Sequence, residues 1–325
     1  MPLVRREFLH LGSAAAVATV IPSLASAQTY PTRPVRLLTG FSAGGLGDIV
    51  ARLMGQWLAE RLGQQFIVEN RAGAASNIAA DALVRSAPDG YTLLMSSTVN
   101  AINTTLYDNL GFNFIRDTTP IAGIIGTPLV MMVDPSFPAK TFRDFITYAK
   151  GNPGKLNYGS AGSGSLSHVV TELLKMTAHV NMVHVSYRGD LQAITDLLGG
   201  QLQVYFGTLP ASIEYVRAGN LRALAVTSTT RSLALPDIPA LGEFLPGFEA
   251  SIWVGLTAPR NTPTEIVEKL NREINAGLAD PKLKARLADL GTTPLPGSPA
   301  DYAKLGVDET EKWGKVVKLT GARPD

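Results

Sequence analysis

The stretch Val35-Arg36-Leu37-Leu38-Thr39-Gly40-Phe41-Ser42-Ala43-Gly44-Gly45-Leu46-Gly47-Asp48 decides how this chain is read. A short apolar strand runs into a loop of small residues, and an amphipathic helix opens at Asp48. Such a loop aims main-chain N–H groups at whatever sits over it, and the helix dipole favours negative charge there. A phosphate-binding P-loop would place Gly-Lys-Ser/Thr at this point. No lysine is present, so a carboxylate suits the loop better than a triphosphate. The bland alternative is a tight βα turn in which glycine supplies positive φ.

The residues before this stretch indicate where an anion would be met. Arg5-Arg6 is followed by an apolar run from Leu11 to Ile21, and Ala25-Ser26-Ala27 offers a cleavage site before Gln28. Charge, apolar run and small-residue cut come in the order of an export signal of twin-arginine type. The run is shorter than the roughly 20 apolar residues that span a bilayer. No cysteine follows the cut, which excludes a lipoprotein anchor. Residues 1–27 therefore read as a signal peptide, and the rest as a soluble periplasmic chain without direct membrane insertion.

Composition narrows the chemistry. The chain has 325 residues, a net charge of +2 and no cysteine. Thiol catalysis, disulfides and thiolate metal sites are excluded. No long basic run exists, which argues against nucleic acid. His168, His179 and His184 lack metal-ligand spacing with a carboxylate partner. Surface or satisfied core positions suit all three, and His168 reads as either cleft-facing or solvated.

Strand and helix signals alternate in two series, as in parallel sheets with helices on both faces. In the first, Val35–Thr39, Phe66–Val68 and Thr92–Met95 read as strands. Residues 48–62 read as a helix capped by Gly63, and 77–85 as a shorter one. The long apolar run 121–133 is a candidate crossing strand. A second series follows, with strands at 156–158, 183–185, 204–206 and 222–226. Its first strand enters Gly159-Ser160-Ala161-Gly162-Ser163-Gly164, a second small-residue loop before a helix at 165–177. Residues 228–246 return the chain to the first series, where 252–257 adds a strand, and three helices open near Pro263, Pro281 and Pro299. Ligands of open α/β sheets sit at the carboxyl ends of strands, so two such loops predict a ligand held between two lobes.

Catalytic patterns are poor. Gly-x-Ser-x-Gly is absent, and Ser167 breaks Gly-x-Gly-x-x-Gly after Gly162 and Gly164. No carboxylate pair suggests acid–base work. No catalytic residue, cofactor or metal is expected. Asp48 reads as an N-cap or a ligand contact, with the cap favoured.

Ordered motifs then run nearly end to end. They include Tyr30-Pro31-Thr32-Arg33-Pro34-Val35, Gly44-Gly45-Leu46-Gly47-Asp48, Glu69-Asn70-Arg71-Ala72-Gly73-Ala74, Ser86-Ala87-Pro88-Asp89-Gly90-Tyr91-Thr92, the 158–164 loop, Tyr187-Arg188-Gly189, Asp196-Leu197-Leu198-Gly199-Gly200-Gln201 and 218–226. With them the chain resembles the extracytoplasmic solute receptors of tripartite tricarboxylate transporters, the Bug group. The resemblance implies a two-lobe periplasmic binding protein, type II-like, each lobe a mostly parallel sheet flanked by helices, with a cleft between. Residues 28–127 plus 251–325 would form lobe 1, and 128–250 lobe 2. It implies a small organic carboxylate as ligand and the membrane permease subunits as partners. By position, Phe41, Ser42, Ala43, Gly44, Gly45 and Asp48 would form one wall. Ser160, Ser163 and Ser165 would face them, with Asp190 and Thr208 deeper and Thr98 and Asn100 as weaker candidates. Asp190 stands where the family carries a small residue. It reads either as an N-cap for the helix at 191–198 or as a carboxylate facing the ligand. Two other functions stay open: the same receptor presenting its ligand state to a membrane histidine kinase, and an exported hydrolase using Ser163 or Ser165.

Overall fold

Strand β1 (Val35–Thr39) buries every residue except Arg36. It leads into α1 (Leu46–Leu62), which starts two residues before the expected Asp48. Gly45, in an extended conformation, is the N-cap, so Asp48 falls in the first turn instead of capping. Gly63 ends the helix in the left-handed region at φ 73°, as expected of a C-terminal glycine. The computed structural model describes residues 30–324; the signal read at 1–27 lies outside them. From Pro31 onward the chain forms one compact unit.

The first series continues with β2 (Phe66–Asn70), α2 (Asn77–Val84), β3 (Thr92–Ser97), α3 (Thr98–Leu106), α4 (Phe114–Asp117) and the 16-residue β4 (Thr118–Val133). The second holds α5 (Phe142–Gly151), β5 (Asn157–Ser160), α6 (Leu166–Ala178), β6 (Val183–Ser186), α7 (Asp190–Leu198), β7 (Val204–Thr208), α8 (Leu209–Arg217) and β8 (Arg222–Val226). The chain closes with β9 (Ser251–Pro259), α9 (Thr264–Ala279), α10 (Pro281–Asp289), β10 (Thr293–Pro294) and α11 (Pro299–Thr320). Pro281 and Pro299 sit in the first turns of their helices, where a missing N–H costs nothing.

The strands form one mixed sheet in the order β2-β1-β3-β9-β4-β7-β5-β6, with β8 and β10 also on β4. Pairing is parallel within β2-β1-β3 and within β7-β5-β6, as the βα units require. It turns antiparallel where β9 and β4 enter. Strand β4 serves both halves: Thr118–Pro128 pair with β9, and Leu129–Val133 with β7 and β8. Register shifts near Pro120, Gly123 and Met131 bend and twist it, as bulges do. That curl brings the carboxyl ends of β1 and β5, and so the two small-residue loops, to face each other.

The second crossing between the halves runs beside the first. Thr227 is fully buried between them. Its hydroxyl donates to the Ala250 carbonyl at 2.6 Å and accepts from the Leu129 N–H at 2.9 Å. Its own N–H donates to Leu129 O at 2.9 Å, and Ala250 N–H donates back to Thr227 O at 2.9 Å. The core of the second half gathers Phe145, Tyr158, Val170, Leu174 and Phe206. Trp313 and Val317 of α11 complete it, although they follow the return crossing.

Candidate ligand-binding site

Between the two loops lies a cavity with an empty volume of about 620 Å³, its mouth included. Gly40, Phe41, Leu46 and Gly47 line it from the β1–α1 side, and Ala161, Ser165, Leu166 and Ser167 from the β5–α6 side. Asp190, Thr208 and the serines supply the polar groups of the wall, and most of the remaining lining is apolar. A wider cleft of about 1250 Å³ adjoins it and shares Gly40, Phe41 and Ala161. Ser163, Ser186, Tyr187 and Arg188 line that cleft.

The first loop is held from behind. Asn70 Nδ2 donates to Thr39 Oγ1 at 2.7 Å and to Phe41 O at 3.2 Å. Asp48 accepts from the Gly44 N–H at 3.0 Å and takes a two-pronged bond from Arg52 at 2.8 and 2.9 Å. Burial pushes the Asp48 carboxyl up, but the bonds from Arg52, Gly44 and Asn70 outweigh it and hold it below its ordinary value. The loop also touches the opposite half directly. Ser42 N–H donates to Arg188 O at 3.3 Å, and Ser42 Oγ donates to Gln192 Oε1 at 3.1 Å. Gly44 holds a left-handed φ of 79°, and a Cβ there would lie 2.5 Å from Leu191 Cδ1, whose side chain would have to shift.

The second loop satisfies its own amides. Ala161 N–H donates to Ser167 Oγ, Gly162 to Ser160 Oγ, Ser163 to Ser186 Oγ, and Gly164 to His168 Nδ1, at 3.0–3.2 Å. The expectation that these amides await a ligand is therefore corrected: neighbouring side chains already hold them. Hydroxyls on the cavity wall belong instead to Ser97, Ser165, Ser167 and Thr208, of which Thr208 donates to Asp190 and Ser165 and Ser167 share a 2.9 Å hydrogen bond. Beneath this loop, Tyr158, His184 and His168 stack, with ring centroids 4.9 and 4.3 Å apart. His184 Nε2 shares a 2.7 Å hydrogen bond with Ser160 Oγ. His168 is thus buried, neither solvated nor on the cavity wall.

Asp190 is the first residue of α7, and Gly189 is the N-cap, so the capping reading of Asp190 does not hold. Its buried carboxylate accepts from Tyr205 OH at 2.7 Å, Thr208 N–H at 3.1 Å and Thr208 Oγ1 at 3.1 Å. The Leu46 amide of α1 also reaches it from the other half. Burial raises its carboxyl above the ordinary value, and these neutral donors offset only part of that. Burial and the adjacent Asp190 charge push the Tyr205 phenol well up.

Of the sequence-predicted residues, Phe41, Ser165, Asp190 and Thr208 come together on the cavity wall, and Ser163 lines the adjoining cleft. Ser42 and Gly44 form the cross-cleft rim, Gly45 caps α1, and Ala43 is exposed. Four others are turned to other work. Asp48 braces its loop, and Ser160 sits on His184. Thr98 accepts from Trp253 N–H at 3.0 Å and ties α3 to β9. Asn100 caps its own helix through Ser97 N–H at 2.9 Å. Sequence reasoning missed the polar wall residues Ser97 and Ser167, each adjacent to or two positions from a residue it had chosen. It also missed Met95, Leu129, Phe206 and Val254, for which no local signal exists.

Comparison with known proteins decides the family. The chain matches the tripartite tricarboxylate transporter family receptor over residues 50–322. It belongs to that receptor family. The protein BugT of Bordetella pertussis is 36% identical over 301 residues, 92% of each chain. A structure of an R. palustris protein with adipate has a TM-score of 0.89 at 36% identity, covering 91% of this chain and 100% of that one. MatC from Rhodopseudomonas palustris, with bound malate, gives 0.84 at 32% identity, covering 89% and 100%. The periplasmic binding protein BugD gives 0.88 at 32% identity, covering 91% and 100%. The curled mixed sheet flanked by helices is the fold of these receptors.

Proposed function

We propose that this receptor captures a small carboxylate-bearing solute in the periplasm and delivers it to the membrane subunits of a tripartite tricarboxylate-type transporter. One observation carries the proposal: loops from two halves of one sheet close on a single cavity whose walls carry hydroxyls and apolar side chains. Adipate and malate in two similar structures support a carboxylate as the solute class. Binding is the whole task in this reading, and no residue is assigned to catalysis. Delivery requires export, to which residues 1–27 are suited. No helix among the described residues is long and apolar enough to cross a membrane.

In this proposal residues 28–127 plus 251–325 and residues 128–250 act as lobes hinged at the two crossings, with the end of α11, at Trp313 and Val317, bridging onto the second lobe's core. Ligand contacts on both walls then favour the closed arrangement, a shift in population that the permease can read. A thermal-shift screen against mono-, di- and tricarboxylates tests it. A ligand at 100 times its Kd adds about 2.7 kcal/mol, an easily read shift. Stabilisation by one carboxylate class is the expected result. No shift with any carboxylate, alongside a shift with uncharged solutes, would overturn the proposal.

A further inference from the structure

Asp190 sets the chemistry of the cavity's deep end. Among the described residues lining the cavity it is the one with an ionisable side chain. Each of its hydrogen-bond partners is a neutral hydroxyl or amide: Tyr205 OH, Thr208 N–H and Thr208 Oγ1, with the neutral Leu46 amide nearby. A carboxylate held this way keeps its hydrogen bonds but lacks a counter-charge. It also lies near the Leu46 amide at the start of α1, where an incoming anion would otherwise be drawn. A Cβ placed on Gly45, the α1 N-cap, would lie 3.6 Å from Asp190 Oδ2. The rest of the wall is mostly apolar, with Leu46, Met95, Leu129, Leu166, Phe206 and Val254, interrupted by the neutral hydroxyls of Ser97, Ser165 and Ser167.

We propose that Asp190 selects carboxylates whose far end is a hydrogen-bond donor, an ammonium or hydroxyl group on an apolar body, and disfavours dicarboxylates. This rests on the carboxylate-receptor reading above. The ligand's far-end donor meets Asp190, and its body fills the apolar section. Its carboxylate is directed to the opposite end, where Gly40, Phe41 and Ala161 open on the cleft bordered by Ser163, Ser186 and Arg188. A second carboxylate would be forced against buried Asp190 in a largely apolar cavity that screens the pair poorly, and like charges so placed oppose binding. An ammonium end supplies the counter-charge the protein does not, and a hydroxyl end supplies a donor without adding charge. The raised carboxyl of Asp190 agrees with a charge held at a cost until such a partner arrives.

Matched probes test this by titration calorimetry on the purified protein at pH 7.5. Straight-chain ω-amino and ω-hydroxy acids of four to eight carbons are compared with the dicarboxylates of equal length. 4-(Aminomethyl)benzoate and 4-hydroxybenzoate are compared with benzene-1,4-dicarboxylate. The wild type is expected to bind the best donor-ended probe at least tenfold more tightly than its dicarboxylate counterpart. D190N, which keeps the shape and removes the charge, is expected to narrow that ratio below threefold, and D190S to do the same if D190N does not fold. A wild type that prefers the dicarboxylates overturns the selectivity while leaving a carboxylate receptor in place. An undiminished tenfold ratio in the variants overturns the role of Asp190. Failure of every probe in both series removes the carboxylate-receptor reading as well.

Discussion

Replacing Thr227 with valine probes the seam where the chain crosses twice between the halves. Valine keeps the branched shape, so packing is preserved and only the hydroxyl is lost. Two bonds go with it, to Ala250 O at 2.6 Å and from Leu129 N–H at 2.9 Å. Both partners are buried. The main-chain bonds between Thr227 and Leu129 and between Ala250 and Thr227 survive, so the strands stay paired. Each lost bond is worth about 1 kcal/mol, and a stranded buried donor adds about 1–3 kcal/mol. Together these give a destabilisation of roughly 3–5 kcal/mol. Urea unfolding measures it directly, and the melting temperature should fall by roughly 6–10 °C, at about 2 °C per kcal/mol for a chain this long. T227S keeps the hydroxyl and loses one methyl, at a cost of about 1 kcal/mol. A T227V protein as stable as the wild type, or a T227S protein as damaged as T227V, would refute the seam's dependence on this hydroxyl.

Three further outcomes follow from other contacts. D48N should cost about 1–3 kcal/mol by weakening charged bonds that hold the first loop, whereas R52A should cost under about 1 kcal/mol because Arg52 is largely exposed; equal losses in chemical denaturation would show that the ion pair, not the Gly44 amide, matters. Burial raises Glu172, but Lys175 and Tyr158 hold it below its ordinary 4.5, so its contribution is present above pH 4.5 and lost as pH falls through the lowered value. The stability gap between wild type and E172Q should therefore close on acidification, and a gap independent of pH would contradict this. G44A places a methyl in the left-handed region against Leu191, so it should weaken ligand binding at least tenfold with a folded protein by circular dichroism; unchanged affinity would show that this rim contact is not needed for closure.

Much of this fold is written locally. Alternating apolar strands and helical stripes locate the βα units, and glycines such as Gly63 mark where helices stop. The 121–133 run betrays a crossing strand by its length, and the two small-residue loops stand out by composition. What stayed hidden is non-local. Nothing near residue 252 states that β9 inserts antiparallel between β3 and β4. Met95, Leu129, Phe206 and Val254 read as ordinary core, because periodicity marks a side chain as turned inward without saying whether a cavity lies beyond. The loop amides were misjudged because their partners, Ser167, Ser186 and His168, lie off the loop or past its end. Asp48 looked like a cap because the identity of the residue was read without Gly45, whose extended backbone starts the helix earlier. Asp190 needed the partners Tyr205, Thr208 and Leu46 before its carboxylate could be placed.

A crystal structure of the protein with the tightest-binding carboxylate from the screen tests the capture site most directly. The solute should lie in the cavity between residues 40–47 and 161–167, touching Phe41 on one side and Ser165 or Thr208 on the other. A solute bound elsewhere on the surface, with that cavity left vacant, would contradict capture between the halves.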